Sequence, residues 1–170
     1  MVDSDGLRTN ASWLKFRRNR FSTRLPPDCR YSLSHYWLRE EVHEGEKTGI
    51  WRIGMTAFAT RMLGEIVEFD FEVSEGEDVR VGQELGWIEG FKAVSDFYCV
   101  ADGKFRGLNG HVVGDPSLIC ADSYRSGWIY EIEGVPDEGS VDVNGYVQHL
   151  ELTIDKMLEK PWQTPEMGPS

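Results

Sequence analysis

The feature that most constrains the fold of this chain is a strict two-residue alternation over residues 67–73. Four apolar residues, Val67, Phe69, Phe71 and Val73, alternate there with three acidic ones, Glu68, Asp70 and Glu72. Successive side chains of a strand point to opposite faces, so this pattern predicts a strand with one buried face and one acidic, solvent-exposed face. A single strand of this kind needs sheet neighbours and a core beneath it. The chain of 170 residues is long enough to provide both within one domain.

Other short apolar runs separated by tight turns recur along the chain, whereas helical periodicity is sparse. Thr56 is a predicted N-cap for a short helix over 57–63, which Gly64 ends as the C′ residue. Apolar residues at steps of three and four over 143–158, preceded by the potential N-cap Asp142, predict one amphipathic helix. The expected fold class is therefore mainly β, with short peripheral helices and a C-terminal amphipathic helix.

Charge and composition divide the chain into four predicted segments. Residues 1–30 contain seven Lys or Arg against three Asp, a net of +4, and are predicted to form a basic N-terminal arm. Residues 31–134 are predicted to form the folded domain, 135–160 a helical extension, and 161–170 a Pro-containing tail. The net charge of the whole chain is −11, which disfavours nucleic acid as a partner because the acidic body repels phosphate backbones.

Cysteine usage and the absence of long apolar runs narrow the functional class further. The three cysteines form no CxxC pair, and the four histidines show no metal-ligand spacing, so no disulfide framework and no metal site is predicted. No apolar run has the roughly 18 residues of a membrane span, so no membrane partner is predicted. The expected location is the bacterial cytoplasm. The mitochondrial matrix is the alternative, because basic and aromatic residues alternate near the N-terminus.

The stretch 83–103 predicts a β-hairpin with one lysine at its tip. Two short apolar strands flank a turn at Phe91, Lys92 and Ala93. A lysine at such a turn projects away from the sheet, while cross-strand pairing fixes the backbone beneath it. This is the geometry of an attachment point for a flexible arm, although an ordinary solvated turn lysine fits the same local pattern.

The residues around Lys92 resemble the lipoyl-attachment segment of glycine cleavage system H proteins. The stretch from Glu89 to Asp96 is similar to the family's Glu-Ser-Val-Lys-Ala-x-Ser-Asp, and Gly103 matches its downstream glycine. Further matches follow in the family's order: Ser34-His-Tyr-Trp37, Gly54-Met-Thr-Ala-Phe-Ala59, Leu63-Gly-Glu-Ile-Val67, Asp115-Pro-Ser-Leu-Ile119 and Asp122-Ser-Tyr-Arg-Ser-Gly-Trp128. Each match alone is weak, but the ordered set over residues 31–134 is specific.

The resemblance implies a fold, a cofactor and a set of partners. The fold would be a barrel-sandwich hybrid of the lipoyl- and biotinyl-carrier type. Lipoate would be attached covalently to Lys92 by a lipoyl-attaching enzyme that recognises Glu89 and Gly103. The arm would take an aminomethyl group from a pyridoxal-phosphate glycine decarboxylase to a tetrahydrofolate-dependent aminomethyltransferase, and dihydrolipoyl dehydrogenase would reoxidise it. Ser34 and Asp96 would hold the loaded arm in a cleft, and the protein itself would be a non-catalytic carrier.

Two departures from the family pattern leave alternatives open. Tyr36 stands where the family has a Glu that helps to hold the loaded amine, and Gly90-Phe91 replaces Ser-Val beside the arm. One alternative is a lipoate carrier for another system, such as lipoate-dependent sulfur oxidation or lipoyl relay. Another is an interaction module that has this fold but no lipoyl group. A biotinyl carrier is disfavoured because biotin sites usually read Met-Lys-Met.

Overall fold

The computed structural model of the protein describes residues 12–159, which contain eleven strands and four helices. The strands are β1 Leu14–Arg18, β2 Phe21–Leu25, β3 Arg30–Tyr31, β4 Tyr36–His43, β5 Glu46–Met55, β6 Ile66–Phe71, β7 Asp78–Val79, β8 Glu84–Gly90, β9 Val94–Tyr98, β10 Ala101–Leu108 and β11 Tyr130–Pro136. The helices are α1 Ala57–Leu63, α2 Gly110–Gly114, α3 Leu118–Ala121 and α4 Val143–Glu159. The expectation of a mainly β fold is confirmed.

The chain divides into two compact units by its contacts. The central unit spans Asp28–Ser140, and the terminal unit joins the described residues of Met1–Pro27 and Val141–Ser170. The predicted four-segment division stays a prediction, and its Pro-containing tail at 161–170 lies outside the described residues. The first eleven residues of the predicted basic arm also lie outside them, whereas residues 14–25 of that arm form an antiparallel hairpin of β1 and β2.

The central unit contains two sheets. One is six-stranded in the order β3-β4-β5-β11-β10-β7, and the other is three-stranded in the order β6-β8-β9. An aromatic layer joins them: Phe71 of β6 stacks on Phe97 of β9 with ring centroids 4.6 Å apart, and also contacts Tyr130 of β11 at 5.4 Å. Phe97 and Tyr130 are fully buried, so these rings lie in the centre of the core.

The alternating stretch forms β6, but its predicted apolar face is only partly correct. Glu68, Asp70 and Glu72 are exposed as expected, yet Val67 is 45% exposed and Ile66 is buried in its place. The pairing of β6 with β8 shifts register between Ile66 and Glu68. A β-bulge of this kind adds one residue to a strand and reverses which side chain points inward, so the prediction was wrong for Val67.

Helix α4 of the terminal unit begins where the sequence predicted. The Oδ1 atom of Asp142 accepts a hydrogen bond from the backbone N–H of Gly145 at 2.9 Å, which is an N-cap contact. The buried face contains Tyr146, which sequence periodicity missed, whereas Met157 and Leu158 near its end are exposed. Among the described residues, no helix is long and apolar enough to cross a membrane.

Candidate functional site

The predicted hairpin around Lys92 is confirmed. Strands β8 and β9 pair in antiparallel register with Glu89 opposite Val94, and residues 91–93 form the turn between them. The backbone N–H of Gly90 donates to the carbonyl of Ala93 at 2.9 Å and closes the turn. Lys92 is exposed at its tip. The lysine is therefore presented to solvent by a short, hydrogen-bonded connection.

The turn is fixed on a second side by the chain segment that follows α1. The backbone N–H of Lys92 donates to the carbonyl of Leu63 at 2.9 Å, and that of Phe91 donates to the carbonyl of Glu65 at 3.0 Å. These carbonyls belong to the end of α1 and the residues after it, where free carbonyl groups need partners. The two hydrogen bonds tie the turn that contains Lys92 to the end of α1 and the segment after it, in addition to the strand pair.

The position of that segment follows from the caps of α1. The Oγ1 of Thr56 accepts a hydrogen bond from the N–H of Ala59 at 3.4 Å, as expected for an N-cap. Gly64 has φ +79° and its N–H donates to the carbonyl of Thr60. Only glycine adopts this conformation without strain, so the predicted helix stop is confirmed and turns the chain toward the hairpin.

Close backbone packing also accounts for the glycines at the site. A Cβ atom on Gly90 would overlap the carbonyl group of Leu63, and one on Gly64 would lie 3.0 Å from Cγ of Lys92. Gly90 is one of the two departures from the family pattern. In this chain, the absence of a side chain there lets the hairpin lie directly against residues 63–64.

The amine of Lys92 is accessible. Its Nζ donates one hydrogen bond, to the carbonyl of Arg61 at 3.1 Å, and this contact is exposed to solvent. Among residues 12–159, no carboxylate forms an ion pair with Lys92. An exposed hydrogen bond to a neutral carbonyl contributes only about 0.5–1.5 kcal/mol, so the amine is readily released for modification.

The two residues predicted for recognition by the lipoyl-attaching enzyme have different surroundings. Glu89 is half-buried on β8, on the same face as the exposed Val94 of β9. Gly103 is on β10, opposite Gly134 of β11, and a Cβ atom there would overlap the carbonyl of Glu133. Close approach of two strands is therefore sufficient to explain glycine at position 103. The recognition role of both residues stays a prediction.

The predicted arm cleft contains a hydrogen-bonded tyrosine where the family has a carboxylate. Tyr36 is buried, and its hydroxyl accepts a hydrogen bond from the backbone N–H of Tyr98 at 3.2 Å. Burial raises the pKa of Tyr36 from 10.0 to about 12, and the carboxylate of Asp96 adds to this rise. Tyr36 is therefore neutral at physiological pH and connects β4 to β9.

The two other predicted cleft residues are exposed. The Ser34 hydroxyl shares a hydrogen bond of 2.9 Å with that of Ser32. Asp96 accepts a long hydrogen bond of 3.5 Å from the Tyr98 hydroxyl, and this carboxylate raises the pKa of Tyr98. Among residues 12–159, no hydrogen bond joins Ser34 to Asp96. The structure thus links Tyr36 and Asp96 through Tyr98, a residue that the sequence reasoning missed.

The outer surface of the β6-β8-β9 sheet is acidic, and we call it the acidic face. Cross-strand register places Glu68 beside Glu89, and Trp87 between Asp70 and Asp96. The acidic face comprises Glu68, Asp70, Glu72, Glu84, Glu89 and Asp96 around the half-buried Trp87. None of the three strands contains Lys or Arg. This surface adjoins the turn that presents Lys92, so a protein that approaches Lys92 from this side meets concentrated negative charge.

Nothing in the described part of the chain forms a metal site, since residues 12–159 contain no group of three or more His, Cys, Asp or Glu placed to hold an ion. The three cysteines are free thiols. Burial raises the pKa of Cys29 to about 12 and that of Cys99 to about 11, which keeps both thiols protonated near neutral pH.

Comparisons with known proteins agree with this geometry. A sequence model described as glycine cleavage H-protein matches residues 29–151. A glycine cleavage system H protein from Micrococcus luteus is 33% identical over 128 residues, which cover 74% of this chain and 96% of that protein. One from Legionella pneumophila is 37% identical over 112 residues, covering 65% and 84%. The crystal structure of a glycine cleavage system H protein from Mycobacterium marinum matches with a TM-score of 0.66 at 28% identity, covering 75% of this chain and 99% of that one.

Proposed function

This chain belongs to the glycine cleavage H-protein family, and from that premise we propose that it holds a covalent lipoyl arm on Nζ of Lys92. Membership of the family establishes the fold and the general function. The fold is the predicted barrel-sandwich hybrid, and the function is that of a lipoyl carrier protein of the glycine cleavage system. The particular lysine and the particular partner enzymes belong to the proposal.

The observation that carries the assignment to Lys92 is the accessibility of its amine on a fixed backbone. The Nζ atom has one exposed hydrogen bond, to Arg61, while the backbone of the same residue is bound to Leu63. An attachment point needs a free amine and a base that does not move, and both are present here. The residues therefore fit an amide-linked lipoyl group without rearrangement of the hairpin.

The chain supplies attachment and surroundings, and we infer that it has no catalytic group of its own. A lysine amine in water is almost entirely protonated near pH 7, so its acylation needs a separate lipoyl-attaching enzyme with an activated acyl donor. When bound, lipoate supplies a dithiolane that accepts and releases the one-carbon cargo and two electrons. Asp96 offers an exposed carboxylate to a cationic cargo, while Tyr36 offers only a neutral hydroxyl.

The proposed partners are the enzymes of the glycine cleavage system. They are a pyridoxal-phosphate glycine decarboxylase, an aminomethyltransferase and dihydrolipoyl dehydrogenase. A tether on one carrier raises the effective concentration of the cargo at each enzyme. We propose that the protein works in the bacterial cytoplasm; its named relatives from Micrococcus luteus and Legionella pneumophila are bacterial proteins.

A partial reaction tests this function. Lipoylated protein mixed with glycine decarboxylase should exchange labelled bicarbonate into the carboxyl group of glycine. We expect the exchange to be lost in Lys92→Arg and unchanged in Lys104→Arg, a matched control because Lys104 is exposed on β10 and paired with Asp78. Wild-type exchange by Lys92→Arg would contradict the assignment. Lipoylated protein that fails to exchange would indicate a carrier for another system.

A further inference from the structure

The β1–β2 hairpin has two faces of opposite character. Cross-strand pairing places Phe16 opposite Thr23, and Arg18 opposite Phe21, on one face, where both phenylalanines are buried. The other face, which we call the basic face, has Lys15 opposite Arg24 and Arg17 opposite Ser22, all exposed; Arg20 is exposed in the turn. The family match begins at residue 29, after this hairpin, so the matched domain does not account for it.

The charge of the basic face has no visible compensation within the hairpin. Residues 12–25 contain no acidic residue, and among residues 12–159 no carboxylate forms an ion pair with Lys15, Arg17 or Arg20. Arg18, which points to the opposite face, does form one, with Asp155 of α4 at 2.9 Å. The pairing of Lys15 with Arg24 places two cations directly opposite each other, which concentrates positive charge on this face.

The acidic face of the central unit is a chemical complement to the basic face. Among the described residues, Glu68, Asp70 and Glu72 form no ion pair, and they recur at every second position along β6 and the residue that follows it. Lys15 and Arg17 recur at the same interval along β1. Side chains two residues apart on one face of a strand are separated by about 7 Å, so the two rows of charge have the same spacing and opposite sign.

We propose that the basic face of one copy docks on the acidic face of a second copy. A phosphate backbone or an anionic lipid surface would extend its negative charge beyond the hairpin and repel the rest of this chain, whose net charge is −11. The acidic face is instead a bounded patch of six carboxylates around Trp87. Repulsion between the two chains is screened beyond about 8 Å at physiological ionic strength, whereas paired charges in contact are screened less.

Complementary charge reversal tests the contact with the full chain. One variant carries Lys15→Glu and Arg17→Glu, and the other carries Glu68→Lys and Asp70→Lys. The matched control for the first variant is Lys47→Glu with Arg80→Glu, which makes the same change in net charge at two exposed positions of the central unit. Association is measured by sedimentation velocity over a range of protein concentrations, at low and at high salt, after circular dichroism has shown that each variant is folded.

The expected result is concentration-dependent association of the wild type, weakened about tenfold between 50 mM and 500 mM salt. Each reversal variant alone should be monomeric, because positions 15 and 17 of the basic face and positions 68 and 70 of the acidic face then carry charges of the same sign. An equimolar mixture of the two should associate again, and the control variant should associate like the wild type.

A wild type that stays monomeric at all concentrations, or a mixture that fails to associate, would overturn the proposal. Binding of the wild type to a 30-nucleotide single strand or to phosphatidylserine vesicles, lost in Lys15→Glu with Arg17→Glu and without self-association, would assign the basic face to those anions instead. Running every sample also in the Lys92→Arg background separates this contact from lipoylation, since the docking faces do not include Lys92.

Discussion

The β8–β9 hairpin and the β1–β2 hairpin both expose cations, and they differ in how they are held. The β8–β9 hairpin has a buried strand face in the core of the central unit, and its turn is hydrogen bonded to Leu63 at the end of α1 and to Glu65 just after it. The β1–β2 hairpin has a buried face with a tilted Phe16–Phe21 pair, 6.1 Å between ring centroids, and one ion pair that links Arg18 to α4. A hairpin of two strands is marginally stable alone, so these supports decide how firmly each tip is held.

This difference supports two different proposed roles. Lys92 suits a single covalent attachment point, whereas the cations of the β1–β2 hairpin suit surface recognition. Lys92 is alone at its tip, and its backbone is fixed from two sides. Lys15, Arg17, Arg20 and Arg24 share one hairpin and act as a group. A carrier needs one defined position for a covalent arm, whereas charge complementarity needs several charges with a common spacing.

Removal of one buried ring from each hairpin should give the largest difference in the free energy of unfolding between the two hairpins. Phe97→Ala should lower the free energy of unfolding by about 3–5 kcal/mol, because a fully buried ring in the aromatic layer leaves a cavity. Phe16→Ala should cost about 1.5–3 kcal/mol, since the hairpin can partly collapse around the gap. Urea denaturation followed by circular dichroism measures both.

Lipoylation should separate the same two variants. Phe16→Ala should accept lipoate at the wild-type rate, whereas Phe97→Ala should be a poor substrate because β9 supports the turn. Equal losses of stability and equal lipoylation in the two variants would contradict the claim that the two hairpins are held differently.

Alkaline pH should also lower the stability of the central unit but not that of the β1–β2 hairpin. Burial raises the pKa of Tyr36 to about 12 and that of Cys99 from 9.0 to about 11, whereas residues 14–25 contain no thiol or phenol. Because the folded state holds these protons more tightly than the unfolded state, this stabilisation is fully present below about pH 9 and is lost as pH rises to about 12. Tyr36 alone should contribute about 3 kcal/mol.

Urea denaturation at pH 8, 9, 10 and 11 measures this decline. Tyr36→Phe serves as the comparison, since it lacks the phenol and should lose less stability over the same range. A decline of the same size in Tyr36→Phe and in the wild type would show that Tyr36 is not responsible.

Close packing behind the Lys92 turn predicts a moderate loss of stability when Gly90 is replaced. Gly90→Ala should destabilise the protein by about 1–3 kcal/mol, because the added methyl group meets the carbonyl of Leu63 and must displace the turn. Gly114→Ala is the control, since nothing lies within 4 Å of a Cβ atom there. Thermal unfolding and the rate of lipoylation should both fall in the first variant only.

The smallest effect is expected at the ion pair that links the β1–β2 hairpin to α4. Arg18 and Asp155 are each 43% exposed, and exposed ion pairs contribute up to about 1 kcal/mol. Arg18→Ala should therefore cost less than about 1 kcal/mol, and the loss should shrink at 1 M salt. A cost that is large and independent of salt would mean that the hairpin is held by packing of the Arg18 stem.

Local signals in the sequence were enough to predict the elements that present Lys92. The turn at 91–93 and the α1 caps Thr56 and Gly64 depend on residues close together in the chain, and the structure confirms them. The β1–β2 hairpin had a comparable signal in the alternation of apolar and cationic residues over 14–17, but the concentration of charge directed the prediction toward a basic arm without assigned strands.

The features that escaped prediction depend on contacts between distant residues. The bulge that exposes Val67 arises in the pairing of Ile66 with Gly90. The hydrogen bond from the Tyr98 N–H to the Tyr36 hydroxyl joins residues 62 positions apart. Docking of the turn on Leu63 depends on the path of the chain after α1. No local sequence pattern predicts these contacts, because the residues come together only in the folded chain.

The most direct test of the account is the site of lipoylation in protein produced in lipoate-competent cells. Intact mass followed by peptide mapping should find one lipoyl group per chain, on the peptide that contains Lys92, and none in Lys92→Arg. Gly114→Ala should be modified as fully as the wild type. An unmodified Lys92, or a lipoyl group on any other lysine, would contradict the claim that the turn at residues 91–93 is the attachment point.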